Sequence, residues 1–225
     1  NPEDALRALN SIGNIHIALG DYSKAQIAFL DAFEINKTLK NNIFEAVIST
    51  NIGNIYFYLS QYEKAIDYYY QTLKIAEQHD YNQFINPTYG NIGIIYQKLK
   101  KYDKAIENTY LSLDFHKKNN DRYNSALSYN NLGIIYNAQE MLDSATFYFN
   151  KALLLKIELK DTAGLPLVYN NMADVLIKEN KLIEAEKILN QAIDIAHKYS
   201  DGYDLSLAYY FLGDLYASKN NDKKT

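Results

Sequence analysis

Cysteine and tryptophan are absent from this 225-residue chain, and proline occurs only three times. Without cysteine there is no disulfide, no thiolate metal site and no cysteine nucleophile. The compartment stays open, because a cysteine-free chain suits either redox environment. Basic runs are missing too, and the formal net charge is −4. Nucleic acid binding needs a positive footprint, so no nucleic acid partner is expected of this segment. No apolar run approaches the roughly 20 residues of a membrane helix, so no membrane insertion is expected. No signal peptide opens the sequence. Catalytic motifs are missing as well: there is no Gly-x-Ser-x-Gly elbow and no phosphate-cradling glycine loop. The four histidines, His16, His79, His116 and His197, lie far apart, and no two have a metal-ligand spacing. Paired acids such as Glu184 and Glu186 read as solvated helix-surface charge. No enzymatic activity, metal or cofactor is expected.

What is present is a repeat. Gly13, Gly53, Gly93 and Gly133 recur at intervals of 40, each within a similar hexapeptide, as in Asn51-Ile52-Gly53-Asn54-Ile55-Tyr56 and Asn91-Ile92-Gly93-Ile94-Ile95-Tyr96. The next two steps land on Ala173 and Gly213. Twelve residues after these positions come Ala25, Ala65, Ala105, Ala145 and Ala185, each preceded at three residues by Tyr22, Tyr62, Tyr102, Leu142 or Leu182. Spacings of three and four place these residues on single helix faces. Small residues let two helices approach closely, and large ones fill the space beside them. Polar breaks such as Ser60-Gln61 and Lys100-Lys101 separate the helices of a repeat. Asn41-Asn42, Asp80, Asn119-Asn120, Asp161 and Asp201-Gly202 separate repeats and suit helix ends and caps. No stretch reads as a strand.

The order of bulky residue, Leu-Gly, Tyr, Ala and aromatic resembles the tetratricopeptide repeat (TPR) signature. Here the repeat is 40 residues rather than about 34 and the closing proline is missing, as in the longer-repeat branch that includes kinesin light chain and bacterial peptide-pheromone receptors. The resemblance implies an all-α fold, a right-handed superhelical solenoid of antiparallel helix pairs. One repeat cannot bury its apolar face alone, so a single array over 1–225 is expected. Its repeats are placed at about 3–41, 42–80, 81–120, 121–161 and 162–201, with the first helix of a sixth at 202–218. The chain starts at Asn1 and its last residues, Lys219 to Thr225, stop inside that sixth repeat. A piece of a longer protein is expected, cytoplasmic by default and periplasmic if flanking sequence carries a signal peptide or membrane helix. At the C-terminal end, Phe211, Leu212 and Leu215 are expected to be partly uncovered, or covered by further sequence of the longer protein.

Two residues before each glycine position come Ser11, Asn51, Asn91, Asn131, Asn171 and Phe211. In the resembling families the first helices line a concave surface, and an asparagine here holds the backbone of an extended peptide. An amide offers both a donor and an acceptor, which matches a peptide unit. The same row can instead bond to the neighbouring helix or be solvated. Beside it run Asn54, Ile94, Ile134, Asp174 and Asp214, and also Pro87, Leu127 and Leu167. The expected groove is therefore apolar in its middle and acidic toward Asp174 and Asp214. Apolar residues that converge on one wet face mark interaction sites. The expected ligand carries an apolar residue centrally and a basic one toward the acidic end; alternatively, tight superhelix curvature buries some of these residues against the adjacent repeat.

The expected function is protein–protein interaction with a protein or peptide partner, and the resemblance implies a setting in the sensory or regulatory region of a bacterial signalling protein. The alternative is a structural scaffold or self-association element with no peptide groove.

Overall fold

In the computed structural model, every twentieth residue from Gly20 to Asn180 has a positive φ, between 52° and 74°. The structure describes residues 1–199 and 201–222, with 220–222 by backbone alone. Residues 200 and 223–225 of the expected array lie outside the described residues. Each left-handed residue ends a helix of about five turns. After α1 (Pro2–Ala18), the Asp21 N–H donates to the His16 carbonyl at 2.8 Å and the Gly20 N–H to the Ile17 carbonyl at 2.9 Å. This crossed pair is a Schellman motif, which satisfies carbonyls the helix leaves open. It recurs after α3 (Asn42–Tyr58), α5 (Asn82–Lys98), α6 (Tyr102–Lys118), α7 (Arg122–Ala138) and α8 (Leu142–Glu158). α9 (Leu165–Lys178) ends the same way. Among these left-handed residues only Gly20 is a glycine; the others are Lys40, Ser60, Asp80, Lys100, Asn120, Glu140, Lys160 and Asn180.

Helix starts are capped where the sequence indicates it. Asn41 accepts from the N–H groups of Ile43 and Phe44, Asp161 from Gly164, and Asp201 from Tyr203 and Asp204. Asp80 and Asn120, expected at boundaries, are the left-handed residues themselves.

The chain divides into two compact units, Asn1–Ser112 and Leu113–Thr225. The first contains α1, α2 (Tyr22–Leu39), α3, α4 (Tyr62–Gln78), α5 and most of α6. The second contains the end of α6, α7, α8, a 3-10 turn at Thr162–Gly164, α9, α10 (Leu182–Tyr199) and α11 (Gly202–Asp222). In each unit consecutive helices pack as antiparallel pairs, and the described residues include no strand. The all-α fold of helix pairs expected from the sequence is therefore observed. No helix among the described residues is long and apolar enough to cross a membrane.

The repeated alanines Ala25, Ala65, Ala105, Ala145 and Ala185 are all fully buried. In the first unit Ala25, Phe29, Ala32, Ile48, Ile52 and Ile55 form one cluster. In the second unit Ala145, Phe149, Ala152, Val168 and Val175 form another, and a third gathers Leu189, Ala208 and Leu215 around Ala173. Burying each large side chain contributes about 1.5–3 kcal/mol. At the C-terminal end Phe211 and Leu212 are partly uncovered, as expected, whereas Leu215 is fully buried, because α11 lies on both α9 and α10. The large hydrophobic side chains exposed on α11, among the described residues, are Tyr203, Tyr209, Tyr210 and Tyr216.

Polar joints tie the end of a second helix to the start of the next repeat. Asn36 donates to the Asn41 carbonyl at 3.0 Å, His116 Nδ1 lies 3.1 Å from Asp121, and Lys156 donates to Asp161 at 2.8 Å. Lys156 is almost wholly buried, so its ammonium depends on that carboxylate and on the Tyr123 ring 5.2 Å away.

Candidate functional site

The odd-numbered helices carry the row of residues expected to meet a ligand. In the first unit α1, α3 and α5 lie in sequence; Ser11 of the row is exposed, and Asn51 and Asn91 are half-buried rather than projecting. Asn51 donates its amide to Asn10 Oδ1 at 3.0 Å, so α3 is hydrogen-bonded to α1. Tyr69, buried on α4, donates its hydroxyl to Asn54 Oδ1 at 2.7 Å. Burial pushes the Tyr69 phenol up, the Tyr58 phenol adds to this, and the Asn91 amide hydrogen-bonded to it pulls the other way. Asn54 and Asn91 therefore meet at one buried hydroxyl. Ile94 is half-buried beside them, and Pro87 is exposed in the second turn of α5.

In the second unit Asn171 donates to Asn130 Oδ1 at 3.0 Å, repeating the Asn51–Asn10 bond. Asp174 accepts from Asn137 at 2.5 Å and from Lys178 at 3.1 Å, and Lys178 also donates to Asn137 at 2.9 Å. The expected acidic end is thus partly neutralised at Asp174, while Asp214 is exposed on α11. Leu127, Asn131 and Ile134 are half-buried on one face of α7, and Leu167, Asn171 and Asp174 occupy the matching face of α9. Ile134 also packs against the Phe149 cluster. Asn131 makes no side-chain hydrogen bond among the described residues.

The arrangement offers amides and apolar side chains along one helix face. Among the described residues no cluster of three or more His, Cys, Asp or Glu side chains is placed to hold a metal.

A family model of the tetratricopeptide repeat matches residues 4–78 and 84–156, and a second matches residues 167–199. The chain belongs to the tetratricopeptide repeat family. As a TPR protein it is a protein-interaction module, of a fold that typically serves as a non-catalytic scaffold. Solved TPR structures share this fold. BtubC (BKLC) from P. vanneervenii is 20% identical with a TM-score of 0.75, the match covering 89% of this chain and 88% of that one. Aspartyl phosphate phosphatase F from Bacillus subtilis is 21% identical with a TM-score of 0.83, over 94% of this chain and 55% of that one. A Rap protein complexed with Competence and Sporulation Factor is 16% identical with a TM-score of 0.77, over 92% of this chain and 59% of that one. The chain thus spans just over half the length of the latter two. No curated protein matches it by sequence.

Reading the TPR row from sequence missed the residues that engage it: Asn10, Asn130, Asn137 and the Tyr69 hydroxyl. A signal for the first two exists. Asn10 precedes Asn51 by 41 residues and Asn130 precedes Asn171 by the same offset. That offset is one repeat plus one residue, the step that brings neighbouring first helices into register.

Proposed function

We propose that this TPR chain binds an extended peptide segment of a protein partner along the faces of its first helices, without catalysing a reaction on it. The observation that carries the reading is Asn131. Its amide has no hydrogen-bond partner among the described residues, and Leu127 and Ile134 stand one turn away on either side of it. A peptide unit offers the donor and acceptor that such an amide lacks, and the flanking apolar side chains suit an apolar ligand residue. The pairs Asn51–Asn10 and Asn171–Asn130 support a share of the row acting as preset structure. Fixing side chains before binding lowers the entropy cost of capture. The peptide complex formed by the Rap neighbour supports a peptide partner, and its setting supports a regulatory role in bacterial signalling. The exposed Asp214 favours a basic ligand residue near it.

The test is selection of a random peptide library against the chain and against an Asn91→Ala, Asn131→Ala variant whose helicity is checked by circular dichroism. Peptides retained by the chain and lost by the folded variant are the expected result. Enrichment that survives the substitutions would place binding on another surface.

A second reading is supported by the exposed Tyr203, Tyr209, Tyr210 and Tyr216 of α11: association through that helix with another chain or a second copy. Light scattering of the chain and of a Tyr203→Ser, Tyr210→Ser variant separates the two readings, since only self-association makes the mass depend on these rings.

A further inference from the structure

The second unit holds a cleft of about 530 Å³ between α8, α9 and α10, on the side of α9 away from Asn171. Met172, Leu176 and Ile188 form its apolar floor. The first unit shows what the same place holds in another repeat. At the equivalent positions of α3 and α4, Tyr56 and Tyr68 stack with ring centres 5.5 Å apart. Gln26 of α2 donates to the Tyr56 hydroxyl at 3.0 Å, and the Lys64 ammonium lies 5.2 Å from the Tyr56 ring centre. In the second unit Leu176, Ile188, Thr146 and Glu184 stand at those four positions. The preceding pair there, Tyr136 and Tyr148, still stacks at 5.3 Å and 4°. The cleft therefore lies where the second and fourth repeats keep two tyrosine rings, and its size falls in the range of ligand pockets, about 300–1,000 Å³.

The substitutions also rearrange the charge at the rim, since Glu184 replaces Lys64 and Lys187 replaces Asp67. Asp143 and Glu184 have no lysine or arginine partner among the described residues, whereas Glu179 is held by Lys181 at 2.9 Å. Lys181 keeps its proton more tightly than usual, chiefly through its bond to Glu179, with Glu184 and Asp143 adding to the effect. Lys187 is the remaining rim cation. Next to the rim, Ile183 is 83% exposed and lines an adjoining depression together with Lys181 and Glu184. The equivalent residue of the first unit is Glu63. An exposed isoleucine beside an unfilled apolar floor extends the apolar surface out of the cleft.

We infer that this cleft is a second docking site, which takes an aromatic side chain of a protein partner in the space left by the missing tyrosines. A basic residue adjacent to that aromatic in the partner chain is held by Asp143 and Glu184. The aromatic ring supplies a large apolar area at low entropy cost. The site lies apart from the asparagine row and does not depend on it.

The experiment uses fluorescein-labelled peptides of about ten residues on a glycine–serine background, with Lys-Tyr, Lys-Ala, Ala-Tyr or Glu-Tyr at the centre. Anisotropy titrations use the full chain. Lys-Tyr is expected to bind most tightly, roughly tenfold or more over Lys-Ala and over Glu-Tyr, a margin of about 1.4 kcal/mol. A Leu176→Tyr, Ile188→Tyr variant introduces the ring pair of the second and fourth repeats, and is expected to stay helical and to lose the Lys-Tyr peptide by a similar factor. Glu184→Lys, an exposed change that does not touch the core, is expected to erase the preference for Lys-Tyr over Glu-Tyr. An Asn131→Ala, Asn171→Ala variant is expected to keep Lys-Tyr binding, which separates this site from the row. Equal affinity for Lys-Tyr and Lys-Ala, an unchanged charge preference in Glu184→Lys, or no binding of any peptide at millimolar concentration would overturn the inference.

Discussion

A Cβ placed on Gly53 would fall 2.8 Å from Cε1 of Tyr69 and 2.9 Å from its Cδ1. The repeated glycine and the residue sixteen later form one contact, seen also between Gly13 and Phe29 and between Gly133 and Phe149. The glycine is there because the ring lies against bare backbone. Gly53→Ala should therefore cost about 1–3 kcal/mol by overpacking. In the fifth repeat Ala173 faces Leu189, and both are fully buried. Leucine accommodates the methyl that an aromatic ring does not. A Gly53→Ala, Tyr69→Leu double variant should lose less than the sum of its single variants, with a coupling of about 0.5–3 kcal/mol. Urea denaturation of the four proteins measures this, and strict additivity would refute it. Gly213→Ala serves as the control. Its Cβ meets nothing within 4 Å in α11, so a gain of roughly 0.5–1 kcal/mol is expected.

The left-handed helix ends yield a second prediction. A non-glycine residue in this conformation costs about 1–2 kcal/mol from the contact between its Cβ and the following carbonyl. Glycine removes that contact but loses more chain entropy on folding. Lys100→Gly and Ser60→Gly, at φ 56° and 57°, should each raise the melting temperature, with a net gain of up to about 1 kcal/mol. Gly20→Ala, at φ 74°, should lower it. A destabilising Lys100→Gly would mean that the lysine side chain contributes more than its backbone strain costs.

The repeat, the helices and most of the caps were legible in the sequence because each rests on local chemistry. Gly53, Ala65 and Tyr56 announce a packing face by their spacing, and Asn41 announces a cap by its type. Lys100 and Glu140 gave no such sign. Nothing about a lysine favours a left-handed backbone, and only the tight return between packed helices imposes it. The asparagine row was visible as a pattern, but its partners were not. The Asn51–Asn10 bond depends on how two helices from different repeats register, and the Asn54–Tyr69 bond depends on how far a buried ring reaches. The burial of Leu215 has the same kind of cause, since α11 rests on two helices at once.

The row itself divides under mutation. Asn51 and Asn171 bond to neighbouring helices, so replacing either by alanine should cost about 1 kcal/mol. Asn131 has no side-chain hydrogen-bond partner among the described residues, so Asn131→Ala should change stability by less than about 0.5 kcal/mol while weakening peptide capture. Chemical denaturation alongside peptide binding makes the distinction. If Asn131→Ala proved as destabilising as Asn171→Ala, the row would be structural throughout and the proposed ligand contact would fail.

The last prediction concerns Asp204 at the start of α11. Its side chain is nearly buried, and neither its Oδ1 nor that of Asn170 has a hydrogen-bond partner among the described residues. The Asn170 amide is committed to the Asp204 carbonyl at 2.9 Å. Burial pushes the Asp204 carboxyl up to about 6, the Asp201 charge adds, and Lys156 opposes. Between the ordinary carboxylate value of 3.8 and about 6, the folded chain keeps a proton that the unfolded chain releases. The stabilisation this proton brings is fully present below the lower value and is lost as pH rises through the upper one. At neutral pH the folded state therefore carries a poorly solvated charge. Asp204→Asn removes that charge and keeps the shape, so it should melt higher than the parent at pH 7.5. The advantage should shrink as pH falls through 6 and vanish near pH 4. Carboxylates held low, such as Glu186 beside Lys219, lose their contribution only at still lower pH and are common to both proteins. Thermal melts of the pair between pH 4 and 7.5 decide the matter: an advantage that stays constant with pH would show that the Asp204 carboxylate is already solvated in the folded state.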